Sequence, residues 1–307
     1  MINILVSTLT TGSRLETLQK CLQSFKELVK PEGINVDFLV VVNLPTLTAG
    51  LQRLFSLYQQ DESFKLTYVL EAKPGIPFAR NRALFTAQER EFKYLCFIDD
   101  DAFADKSWIV NLWEQMTKYS FPEVVTGPQR ALFPEDTPRF YQNAKVYHER
   151  FLVDGANLKW AATNNLMLNT DFMKKHDLSF NESLIYGGED KELFYRVTSK
   201  NGRIVWSSEA LVSEYISQSR LNFKWALRRT FRIGATGFIM ERSSRTLVST
   251  YWICLFKSSG YLVKSIVMFI PNLLLPKKTV LDSFCDLSHS AGFIYGLFSK
   301  GRVSKYT

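Results

Sequence analysis

The chain has 307 residues, 46% hydrophobic and 22% charged, with no low-complexity tract; this is room for one large domain or two smaller ones and excludes a disordered or fibrous chain. Its net charge of +8 is uneven: residues 1–210 carry 24 Lys and Arg against 26 Asp and Glu, and residues 211–307 carry 14 against 4. A basic last third points to an anionic partner, phosphate or an acidic membrane surface, and with no zinc-finger or RNP-type motif in the chain, nucleic acid is not expected as a partner.

In chain order, the apolar run Ile4–Val6 ends in the polar turn "STLTTGSR", a first strand in place of a signal peptide. Leu15, Leu18, Leu22, Phe25 and Val29 then recur at helical spacing. "VDFLVVVN" scarcely alternates, as expected of a strand covered on both faces. "LQRLFSLY" is a second helical stripe and "KLTYVL" a third strand. "KPGIPFARNRALFTAQER" is a Pro/Gly turn opening a helix, "YLCFI" a fourth strand, and "DKSWIVNLWEQM" a helix starting beside Asp105 or Ser107. Four strand-then-helix units predict an α/β fold, a Rossmann-like, mainly parallel sheet with helices on both faces. Such sheets bind ligands beyond the C-terminal ends of their strands, which is where Asp99, Asp100 and Asp101 fall. From about 130 to 215 the elements are short and mixed, closing with a helix that opens at Glu189 or Asp190 and ends before Gly202.

Three carboxylates at a strand end are costly unless something positive neutralises them. Hard oxygen donors suit Mn2+ or Mg2+, ions that keep coordination positions open for phosphate. Solvation of a loop, or capping of the helix that follows, is the other use of such a cluster. Cys21, Cys96, Cys254 and Cys285 lack CxxC spacing and read as buried thiols in a reducing compartment. His148, His176 and His289 lack ligand spacing and read as structural.

In the segments "TLTTGSRLETLQKCLQSF", "KPGIPFARNRAL", "CFIDDDAF", "GGEDKELFYRV" and "VSEYISQSRLNFKWALRRTFRIG", over residues 1–240, the chain resembles family-2 glycosyltransferases of the GT-A fold, those of bacterial succinoglycan-type exopolysaccharide assembly among them. The resemblance implies that Thr10 and Thr11 contact the base and ribose of a nucleotide sugar. It places Asn43 where family members generally carry an acidic residue that reads uracil. Arg80 and Asn81 form the A-R-N motif that helps hold the nucleotide. Asp99 and Asp101 match the D-x-D, Asp99 towards the ribose with Asp100 beside it, and Asp101 on the metal. Glu214 stands where many relatives place a metal-approaching histidine. Asp190 matches the catalytic aspartate, with Glu189 next to it on the acceptor side. Of the cluster Arg220, Arg228, Arg229 and Arg232, the second pair is expected on the departing diphosphate, since a guanidinium bonds two oxygens at once. Trp160, Asn164 and Asn165 are of the residue types that bind a sugar face and its hydroxyls, and are candidates for the acceptor.

"LVSTYWICLFKSSGYLVKSIVMFIPNLLLPKK" is strongly apolar, but Lys257, Ser258, Ser259, Gly260 and Lys264 interrupt it. The expectation is a helix lying in the membrane interface, with a buried core helix or an oligomer contact as alternatives. The expected domains are thus 1–240, with its nucleotide half at about 1–105 and its acceptor half at 106–240, and a membrane-associating helical region at 241–307. Together these imply an inverting, non-processive hexosyltransferase of bacterial surface polysaccharide synthesis that uses a nucleotide sugar, expected to be a UDP-sugar, a saccharide or glycolipid acceptor and Mn2+ or Mg2+. It would work peripherally on the cytoplasmic face of the inner membrane, with a homo-oligomer also possible. The alternatives are a transferase on lipopolysaccharide core or capsule and a non-catalytic nucleotide-binding scaffold.

Overall fold

The computed structural model describes residues 2–59, 61, 64–148, 151–185, 187–242, 245–275 and 277–301, so the last six positions of the region expected from 241 onward lie outside the described residues. The chain divides into two compact units: Met1–Arg130, Arg150–Ile185 and Glu189–Glu214 form the first, and Ala131–Glu149, Tyr186–Gly188 and Tyr215–Thr307 the second.

The first unit begins with β1 (Ile2–Thr10), α1 (Leu15–Lys26), β2 (Ile34–Val42), α2 (Ala49–Gln59), β3 (Leu66–Leu70), α3 (Ile76–Glu89), β4 (Tyr94–Ile98), β5 (Ala102–Ala104) and α4 (Trp108–Lys118). β1 runs parallel to both β2 and β4, with Ile4 opposite Val36 on one side and Tyr94 on the other. Successive residues point to opposite faces, and each face has its own core. Ile4, Val6, Phe38, Val40, Cys96 and Ile98 pack with Leu18, Leu22, Phe25, Phe55 and Trp108, so α1, α2 and α4 cover that side. Leu5, Leu39, Val41, Leu95 and Phe97 pack on the other side with Ala79, Ala83 and Leu84 of α3. This two-sided burial is why β2 and β4 read as unbroken apolar runs. The stripe on α1 stops earlier than its spacing predicts: the helix ends at Lys26, and Val29 is exposed.

Next come β6 (Val124–Thr126), β7 (Gln129–Leu132), α5 (Arg139–Gln142), β8 (Asn157–Leu158), β9 (Asn165–Asn169), α6 (Thr170–Lys175), α7 (Glu189–Ser199), β10 (Ile204–Trp206) and β11 (Val212–Tyr215). The large sheet has the order β3-β2-β1-β4-β9-β6-β10-β8, with β9 antiparallel to both neighbours. A small sheet, β5-β11-β7, sets Glu214 opposite Ala102, one residue beyond Asp101. α7 opens at Glu189, as predicted, and buries Leu193, Phe194 and Val197 in the α3-side core.

The second unit is dominated by α8 (Phe223–Arg242), α9 (Leu247–Leu274) and α10 (Leu281–Ser299). α8 and α10 approach at backbone distance: a Cβ on Gly234 would lie 2.3 Å from the His289 carbonyl, and one on Gly292 2.1 Å from that of Phe231. α9 runs unbroken through the residues that interrupt its apolar sequence: it is one helix of 28 residues, long and apolar enough to cross a membrane by length and composition. The interrupting residues do not break it because most have partners. Lys257 pairs with Glu241, Lys264 with Asp286 at 2.8 Å, and Ser258 Oγ donates to the Ser290 carbonyl at 3.0 Å. Ser265 and Asn272 likewise bond Ser283 at 2.8 and 2.9 Å. The usual pattern is therefore inverted: polar groups face α8 and α10, while Trp252, Phe256, Ile266, Val267 and Leu274 are exposed.

Candidate active site

Because β1 and β4 are parallel neighbours, the loops that follow them open at the same edge of the sheet. After β1, buried Thr10 accepts the Gly12 N–H at 3.0 Å, and Gly12 takes a positive φ of 71° that a side chain would resist. Thr11 is exposed and shares a 3.0 Å hydrogen bond with the Ser13 hydroxyl. Arg14, just ahead of α1, turns its guanidinium onto the acidic loop. Nη2 donates to Asp100 Oδ1 at 2.6 Å, and Nη1 to Asp101 Oδ2. The arginine side chain is 45% exposed, the two aspartates 5% and 8%. Burial pushes the carboxyl of Asp99 up to about 7; Asp101, Glu214 and Asp100 add to the rise, and the Arg80 guanidinium opposes it.

Arg80 and Asn81 sit on α3 with buried side chains. Arg80 pairs with Glu189 at the start of α7, and its charge also acts on Asp99 at the end of β4. Burial raises the Glu189 pKa, Arg80 lowers it, and Asp190 raises it again. Asp190 lies in the first turn of α7, where its Oδ1 accepts the Lys191 N–H at 2.7 Å. Asn81 is spent on the fold: it accepts the Phe180 N–H at 2.7 Å and donates to the Phe180 carbonyl at 2.9 Å. Asn43 is committed in the same way. Its amide donates to the carbonyls of Glu71 (3.0 Å) and Lys73 (2.6 Å) and accepts from Gly75 (2.9 Å), which shapes the turn into α3.

Gln129 donates to Glu214 at 3.0 Å and accepts from Asn164, so the expected metal-side and acceptor-side residues belong to one hydrogen-bonded chain. Asn165 differs. It is fully buried, accepts from Trp108 Nε1 at 2.8 Å and donates to the carbonyls of Pro128 and Ala210 at 2.8 and 2.7 Å, which leaves no surface for a sugar hydroxyl. Trp160 is part-exposed, with the Lys191 ammonium 5.0 Å from its ring centroid. Within the second unit, Arg229 and Arg232 line a cavity of about 450 Å³ with Arg220, Lys224, Arg228 and Trp225. Trp225 stacks on Tyr147 at 5.4 Å and carries the Arg229 guanidinium 5.4 Å from its ring.

The chemistry of Asp99, Asp101 and Glu214 suits a hard divalent cation. Among the described residues, no group of three or more His, Cys, Asp or Glu lies close enough to hold an ion by itself. Two participants had no sequence signal of their own, Arg14 and Gln129. The parallel order of β1 and β4 was the available clue to Arg14, since it sets the first loop beside the three aspartates.

The sequence profile of glycosyl transferase family 2 matches residues 8–177. Over 301 residues, 95% of this chain and 93% of the relative, the sequence is 25% identical to succinoglycan biosynthesis protein ExoM of Rhizobium meliloti (strain 1021). Among solved structures it is similar to the mannosyltransferase PcManGT from Pyrobaculum calidifontis in complex with GDP-Man and Mn2+, with a TM-score of 0.64, 14% identity, 97% of this chain and 87% of that one. It is also similar to S. aureus TarS 1–349 in complex with UDP-GlcNAc, with a TM-score of 0.54, 13% identity, and 100% and 94% of the two chains. Against the longer TarS structure it spans 40% of that chain. These likenesses place the first unit's sheet in the GT-A fold.

Proposed function

The chain belongs to glycosyl transferase family 2 and is a glycosyltransferase, and from that premise we propose an inverting, non-processive, metal-dependent enzyme that moves a hexose from a nucleotide sugar to a saccharide acceptor. The observation that carries this reading is the Arg80 guanidinium, which pairs with Glu189 at the start of α7 and lowers the pKa of Asp99 at the end of β4.

Inverting transfer needs a carboxylate at the acceptor and positive charge at the departing diphosphate. Asp190 is the proposed base. Its carboxylate lies in the first turn of α7, at the positive end of the helix dipole. As the acceptor hydroxyl oxygen bonds the anomeric carbon, Asp190 takes its proton. The bond from that carbon to the diphosphate oxygen breaks, and the nucleoside diphosphate leaves with the electron pair. Glu189, held by Arg80, fixes the orientation of the α7 start. Asp101 and Glu214 would hold Mn2+ or Mg2+, which supplies positive charge to the departing diphosphate when bound, and Asp99 is assigned to the ribose. Thr10, Thr11 and Asp100 complete the proposed donor side, and Trp160 and Asn164 the acceptor side. The cationic cavity of Arg229 and Arg232 is assigned a phosphate-bearing ligand.

The acceptor is proposed to be lipid-linked, and the enzyme to work at the cytoplasmic face of the inner membrane in surface polysaccharide synthesis. The exposed apolar face of α9 and the name of the ExoM relative support this. "RRTFR" stands where processive synthases carry QxxRW, which supports one sugar per encounter.

The test is nucleotide release from UDP-, GDP- and dTDP-hexoses with membrane extract as the acceptor source, in manganese and in chelator. The expected result is one donor turned over, and only with metal. A donor that binds but is never turned over with any extract would make the chain a nucleotide-binding scaffold.

A further inference from the structure

We propose that Arg14 is a built-in counter-cation that occupies the acidic pair in the absence of donor and must give way before a divalent ion can settle on Asp101. The inference rests on the metal reading of Asp101 given above.

Two adjacent carboxylates, each less than a tenth exposed, need positive charge close by. Arg14 provides it from a loop 86 and 87 residues away in sequence, through one hydrogen bond to each aspartate. The geometry is lopsided. The aspartates are fixed at the end of a fully buried strand, whereas the guanidinium that covers them is nearly half exposed on a long, unbranched stem. Arg14 can therefore leave into water without disturbing the core, and the aspartates cannot follow it.

Asp101 Oδ2 is bonded by a guanidinium nitrogen, so Arg14 and a metal ion compete for that carboxylate. A guanidinium brings one positive charge and a divalent ion two, but the bare ion must also shed water and displace the arginine. A nucleoside diphosphate changes the balance because its oxygens ligate the ion and also accept from a freed guanidinium. Metal and nucleotide should then enter cooperatively, each raising the other's affinity by the same factor, typically about 5- to 150-fold for such couplings. Arg14 is a positioning residue in this scheme, since it acts through Asp101.

The readout is the free Mn2+ signal in electron paramagnetic resonance, titrated with the full chain, with and without UDP or GDP, and without any turnover. Wild type is expected to bind Mn2+ weakly alone and at least about tenfold more tightly with nucleotide. Arg14→Gln is expected to bind Mn2+ alone about tenfold more tightly than wild type and to show less enhancement by nucleotide. Arg14→Lys, which keeps one charge and loses the fork, should fall between them. Asp100→Asn supplies an independent arm should the Arg14 variants fail to fold. It removes one of the arginine's two anchors, so Mn2+ affinity should rise; a structural or directly ligating Asp100 would make it fall. Equal or weaker Mn2+ binding by folded Arg14→Gln, or a fall in Asp100→Asn, overturns the proposal while leaving the metal reading standing. If neither wild type nor any variant binds Mn2+ with either nucleotide, the metal reading fails and takes this inference with it.

Discussion

Arg80 and Glu189 face each other as an ion pair whose side chains are only 8% and 5% exposed, one on α3 and the other on the first turn of α7. Two helices far apart in sequence are thereby joined through a buried ion pair. Breaking such a pair from one side strands a buried charge. Arg80→Met should destabilise the protein by about 3–5 kcal/mol in chemical denaturation. The double variant Arg80→Met/Glu189→Leu should recover most of that loss. If the single variant unfolds at the wild-type midpoint, the pair does not hold the site together.

Asn43 explains a departure from the family pattern. Its NH2 group donates to two carbonyls of the 71–75 turn, which a carboxylate cannot do. Asn43→Asp should therefore cost about 1–3 kcal/mol at neutral pH by leaving those acceptors without donors. The thermal midpoint of Asn43→Asp against wild type checks this. An unchanged midpoint would show that the turn does not depend on the amide.

The pKa of Asp99 gives stability a direction with pH. Burial, first of all, raises its carboxyl to about 7 in the fold, while the unfolded chain titrates near the ordinary value. The folded state thus holds the extra proton between about 4 and 7, and stability falls as pH rises through that window. Asp99→Asn removes the penalty. In chelator, its thermal midpoint should exceed that of wild type at pH 8 and converge on it towards pH 4. A constant difference across that range would mean that Asp99 does not titrate as its surroundings require.

The exposed face of α9 makes a prediction about lipid. Phe256→Ser and Trp252→Ser lie on that face, so they should leave the thermal midpoint nearly unchanged and reduce co-sedimentation with anionic phospholipid vesicles several-fold. If wild type does not bind vesicles and the same substitutions change its sedimentation coefficient, a second copy of the chain covers the face instead.

The parts of the fold legible in the sequence are those whose signal is local. β2 and β4 show as apolar runs because both faces are covered, and α7 shows its start through acidic residues in the first turn. The small sheet was not legible, since β5 is three residues long and finds its partner more than a hundred positions away. The continuity of α9 was not legible, because ion pairs and serine hydrogen bonds to α10 absorb the residues that interrupt its apolar run. At the site, the residue types were legible and their employment was not. Asn81, Asn43 and Asn165 are amides in suggestive motifs, and each spends its hydrogen bonds inside the fold. Arg14 carried no motif, and only the register of β1 against β4 brings it to Asp101.

The most direct test of the account separates chemistry from binding at Asp190. Donor affinity by calorimetry and nucleotide release under saturating donor should be measured on Asp190→Asn beside wild type. The account predicts donor affinity within about twofold of wild type and turnover lowered by roughly 10²–10⁴-fold, the usual worth of a positioned base. Turnover within a few-fold of wild type would contradict it and place the base elsewhere.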